Sequence, residues 1–96
     1  MIDLDKPLSE YEFKEEPAGD GQDTIFRLKL NCIGQITVLD RMTGYGGGLR
    51  DIETGFIDND GEFWLASGNF DIRNNPDINI NEAITIIKRN ANTCIG

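Results

Sequence analysis

The chain has 96 residues, 39% of them apolar, with 17 acidic side chains against 9 basic ones and a formal charge of −8. A chain of 10.7 kDa exposes about 15,000 Å² unfolded and about 5,500 Å² folded, which is enough burial for one core and one domain. The charge argues against a nucleic-acid binder, because phosphate neutralisation needs clustered Lys and Arg. No apolar run approaches the ~18 residues of a membrane-spanning helix. The acidic start, with Asp3 and Asp5, is unlike a signal peptide, so the expected location is the cytoplasm.

Taken in chain order, residues 1–23 form an acidic segment, 24–73 a sheet and 79–92 a helix. Glu10, Tyr11, Glu12, Phe13 and Lys14 alternate polar and apolar, the period of a half-buried strand. The alternative is a short helix started by Ser9 and Glu12 and stopped at Pro17. Pro17 through Asp23 carry turn chemistry, with glycines and aspartates together. Residues 24–30 give the clearest strand, with Phe26, Leu28 and Leu30 on one face and Arg27 and Lys29 on the other. A tight turn at 31–34 leads into a β-branched strand over 35–41. Thr43 through Gly48 read as a glycine-rich loop. Residues 49–58 and 62–67 flank Asn59, Asp60 and Gly61, and Asp-Gly between apolar runs predicts a hairpin. Residues 70–73 read as a short last strand, broken by Asn74, Asn75 and Pro76.

The period then changes. Ile80, Ala83, Ile84, Ile87 and Ala91 follow the i, i+3, i+4, i+7 spacing of an amphipathic helix. Asn79 with Glu82 supplies a start signal, and Lys88 and Arg89 suit the negative end of the helix dipole. The expected fold is α+β: a single antiparallel sheet of four to six strands with one C-terminal helix packed on one face. Leu28, Val38, Phe56, Leu65, Ile84 and Ile87 are the expected core.

Chemistry is sparse. With no histidine in the chain, Ser-His and Cys-His nucleophile pairs are excluded, and the commonest metal ligand is missing. Two cysteines, Cys32 and Cys94, cannot make a four-ligand zinc site and are expected to be reduced thiols. Asp58, Asp60 and Glu62 resemble part of a calcium loop. With Gly61 at its sixth position, however, the first and twelfth ligands would be Phe56 and Ser67, neither of them a carboxylate. No metal, cofactor or catalytic residue is assigned, and the chain is read as a binding protein rather than an enzyme. The run from Gly44 to Gly48 lacks the Gly-Lys-Ser/Thr and the following helix of a phosphate-binding loop. It could still carry a small-molecule site, with Tyr45 as an aromatic anchor and Arg50 as the charge. Trp64, between Phe63 and Leu65, either fills core space beside Phe56 or anchors an interface.

The most distinctive feature is the distribution of charge. Residues 1–26 hold eight acids and two bases, a net −6, whereas 27–96 hold nine acids and seven bases. On a strand, Glu10, Glu12 and Glu16 would share one face with Lys14, at roughly 6.7 Å spacing. The expected function is therefore that of a small acidic inhibitor or adaptor. Its partner would be a basic protein surface, for instance on a nucleic-acid-binding defence complex, as phage anti-CRISPR proteins and DNA mimics do. The expected contact residues are Glu10, Glu12, Glu15, Glu16, Asp20, Asp23, Tyr45, Arg50 and Trp64. The alternatives are ligand binding at the glycine-rich loop and a structural subunit of a homo-oligomer.

Overall fold

The computed structural model describes residues 4–19, 23–42, 50–66 and 69–94. Six strands form one antiparallel sheet: β1 (Lys14–Ala18), β2 (Asp23–Lys29), β3 (Gly34–Met42), β4 (Arg50–Asp58), β5 (Phe63–Ala66) and β6 (Ala91–Cys94). They lie in the order of the chain, so the sheet is a meander in which each strand pairs with its sequence neighbours. The helix α1 (Ile80–Asn90) packs against β4 and β5. The expected α+β architecture is the observed one. No helix among the described residues is long and apolar enough to cross a membrane.

Local chemistry explains most of the boundaries. Asn79 caps α1: its side-chain oxygen accepts from the Glu82 N–H at 2.8 Å. Between β4 and β5, the Asp58 carboxylate accepts from the Asp60 and Glu62 N–H groups, both at 2.9 Å, and closes the hairpin. Gly34 starts β3 at φ 137°, where a Cβ would stand 2.1 Å from the Ile57 carbonyl oxygen. Only glycine fits there.

The core lies between the sheet and α1. Leu28, Leu30, Ile36, Val38, Phe56 and Ala66 point from the sheet into it, and Ile80, Ala83 and Ile87 point from the helix. The remainder of this face is closed by two crossing segments. Residues 70–79 pass over β4, held by Thr54. The buried Thr54 hydroxyl donates to the Phe70 carbonyl at 2.6 Å and accepts from the Ile72 N–H at 3.2 Å. The N-terminal segment then lies along 76–79. Leu8 N–H donates to the Ile78 carbonyl at 2.8 Å, Ser9 N–H donates to the Pro76 carbonyl at 3.0 Å, and Pro7 bridges Asn79. Leu8, at 3% exposure, is the apolar peg of this clasp.

Several expectations change. The strand expected over 10–14 instead begins at Lys14, and Leu8–Glu10 is a 3-10 turn. Pro17 lies inside β1, which an edge strand tolerates because half of its N–H groups face away from the ladder. The sheet thus extends below residue 24. It also gains β6 after the helix, which ends at Asn90 rather than 92. Residues 70–73 are not a strand. Asp71 accepts from the Arg73 N–H at 2.9 Å and nucleates the 3-10 turn Ile72–Asn74. Leu65 and Ile84 are half-buried rather than core, whereas Leu28, Val38, Phe56 and Ile87 are buried.

Candidate functional site

Two surfaces differ sharply in character. The first is the acidic flank. Glu10 lies on the 3-10 turn, Glu12 lies between that turn and β1, and both are exposed. The clasp brings Asp77 opposite Ser9, one residue before Glu10, because the carbonyls on either side of Asp77 are the ones that accept from Ser9 and Leu8. Asp5 and Lys6 are exposed at the start of the same segment. The flank is therefore built from docked coil and not from a strand.

This geometry breaks the even ladder expected of Glu10, Glu12 and Glu16. Glu15 pairs with Phe26 and belongs to the helix side of the sheet, while Glu16 pairs with Ile25 and belongs to the opposite side. There the Glu16 carboxylate takes the Arg27 guanidinium at 3.3 Å and the Lys14 ammonium at 3.7 Å. Glu16 is a paired charge of the sheet face. Asp23 is half-buried opposite Ala18. Asp20, Tyr45 and the Gly44 to Gly48 run lie outside the described residues, as does the Arg50 side chain, although its backbone opens β4 opposite Met42.

Trp64 stands directly across from Phe56 on the helix side and packs, half-buried, against the core. The Lys88 ammonium lies 5.1 Å from the Trp64 ring centroid and 5.5 Å from that of Phe56, so the end of α1 covers both rings with a cation. A second cation, Arg73, stacks on Phe26 at 4.1 Å while Asp71 holds its guanidinium through two bonds, at 3.0 and 2.8 Å. Cys32 is an exposed free thiol. Among the described residues no group of acidic or cysteine side chains is placed to hold a metal ion.

The second surface is the face of the sheet opposite α1, which the sequence reading did not single out. Ile25, Leu39, Ile57, Phe63 and Leu65 meet there around a concavity of about 300 Å³, and all five are half-buried. Gly55 makes room for Phe63: a Cβ there would lie 2.5 Å from the ring, so the aromatic side chain lies over bare backbone. The signal for this surface was present in the chain. Ile25-Phe26, Val38-Leu39, Phe56-Ile57 and Trp64-Leu65 are adjacent apolar pairs, and adjacent strand residues point to opposite faces.

Register also fixes the charges of this open face. Lys14, Arg27, Lys29 and Arg41 stand on it with Glu16, Asp23, Asp51 and Glu53, four bases and four acids. Arg41 is ion-paired to Glu53 across β3 and β4. The open face is neutral. Among the described residues the excess of acidic over basic side chains therefore lies off this face.

Comparison with protein-family models, with curated proteins and with solved structures returns no match to this chain.

Proposed function

We propose that the protein acts by binding, as a small inhibitor or adaptor whose acidic flank docks on a basic surface of a nucleic-acid-binding protein complex. The observation that carries this reading is the clasp. Hydrogen bonds from Leu8 and Ser9 to the 76–78 backbone set Asp77 opposite Ser9, one residue before Glu10, so exposed carboxylates from two distant parts of the chain meet on one flank, with exposed Glu12 following the turn. A fixed negative patch on a −8 protein steers a basic partner by its long-range field, and contacts of this type act mainly on association rate and salt dependence.

The test is a Glu10→Lys, Glu12→Lys, Glu15→Lys variant, with Glu16 left in place because it serves Arg27 and Lys14. Capture of partners from a bacterial lysate is compared at about 50 mM and about 500 mM salt, where the screening length falls well below 10 Å. The expected result is capture by the native protein at low salt, lost at high salt and lost in the folded variant. Undiminished capture by the folded variant would overturn the reading.

A further inference from the structure

We infer that the open face of the sheet is a self-association surface, and that its occupant is the same face of a second copy of this chain. The apolar content is the first reason. Antiparallel sheets with one solvated face ordinarily alternate apolar inward and polar outward. Here Leu39, Ile57 and Leu65 stand on the outward side at the centre of the sheet. A contiguous apolar patch rimmed by charges marks a contact surface.

Charge selects the occupant. A nucleic acid or an acidic partner gains nothing from a face with four acids and four bases, and a basic partner is drawn instead to the acidic flank. A second copy of a −8 protein is repelled by every surface carrying that excess, and the neutral face is the one on which the repulsion is least. The face also holds five of its eight charges in pairs, Glu16 with Arg27 and Lys14, and Glu53 with Arg41, which two copies can cover without separating them, while Lys29 and Asp51 stand at strand ends, on the rim.

Area is sufficient. The six strands have five, seven, nine, nine, four and four residues. At about 3.3 Å per residue and about 4.8 Å between strands this is about 600 Å² in plan. Side-chain relief raises the accessible area towards the ~800 Å² per partner of a stable interface. Two such faces packed as a sandwich, with Phe63 and Leu65 near the middle, form an isologous two-fold dimer.

This inference stands apart from the acidic flank, and salt separates the two. Binding of a basic partner weakens as salt rises. Dimerisation strengthens, because screening removes the repulsion between two −8 protomers while each face pair is already satisfied within its own protomer. Sedimentation equilibrium of the native chain from about 10 to about 300 μM should show a monomer–dimer equilibrium that tightens between low and high salt. Leu39→Lys and Ile57→Lys should each weaken it by more than about tenfold, although both reduce the net negative charge. Thr85→Lys makes the same charge change on the exposed side of α1 and should leave the dimer intact. A monomer at all concentrations in high salt, or a dimer that survives both face variants, would overturn the proposal. Should either variant unfold, methyl resonances of the native chain decide. Those of Leu39, Ile57 and Leu65 should shift with concentration while those of Ile80 and Ile87 stay fixed, and the reverse pattern would defeat it.

Discussion

Ile36 and Leu39 lie three residues apart on β3, yet the first is fully buried and the second only half-buried. The strand supplies both with the same backbone ladder, so the difference lies in what stands over each face. Over Ile36 lie the helix, the 70–79 crossing and the N-terminal clasp. Over Leu39 lies solvent, bounded by paired charges. The contrast teaches that the fully buried core is built on one side of the sheet, while apolar side chains on the other side stay partly open to solvent.

The largest expected effect tests the covered side. Ile87→Asp places a carboxylate among Phe56, Ala66 and the other core residues, where no partner exists for it in the described core, and the chain should fail to fold by circular dichroism. Ile84→Asp, at a half-buried position, should be milder. Next, Ile36→Ala should cost about 2–5 kcal/mol in urea unfolding, from lost transfer energy and the cavity left behind. Leu39→Ala, on the open side, should cost the isolated protomer less than about 1.5 kcal/mol, since exposed apolar groups contribute little burial. Equal costs would break the comparison.

A third substitution sharpens it. Thr54→Val keeps the shape of the side chain but removes the hydroxyl shared by the Phe70 carbonyl and the Ile72 N–H, leaving both without that bond. It should cost about 1–3 kcal/mol and raise hydrogen exchange over 70–74 first. The smallest effect belongs to the open face. Glu16→Gln removes the carboxylate from Arg27 and Lys14, all at least one-third exposed, and should change stability by less than about 1 kcal/mol.

Much of this architecture was legible in the chain. Alternation over 24–30, Asp-Gly before β5 and Asn79 before α1 each carry a local cause that the structure realises: a pleat, an Asp58-closed turn and a side-chain cap. β1 and β6 were not legible in the same way. An edge strand needs one partner only, so Lys14, Glu15, Glu16 and Pro17 can pair with β2 without any apolar period, and Ala91 to Cys94 can pair with β5. Leu65 was expected inside because three large apolar residues in a row do not say which face the helix will take. Once Trp64 is set opposite Phe56, Leu65 must point away. The acidic flank was visible as composition, but its shape depends on hydrogen bonds from Leu8 and Ser9 to residues near 77, a pairing with no local signature.

The clasp also has a consequence for the order of events in folding. Every ladder from β1 to β5 joins strands adjacent in the chain, so those hairpins close short loops and can zip locally at small entropic cost. The contact between Leu8 and Ile78 spans seventy positions and requires the 70–79 crossing to be in place beforehand. It should form late, after the sheet and helix have met. The juxtaposition of Glu10 with Asp77 then exists only on a finished molecule, and a partner docking on this flank as proposed would distinguish a completed fold from a chain still assembling.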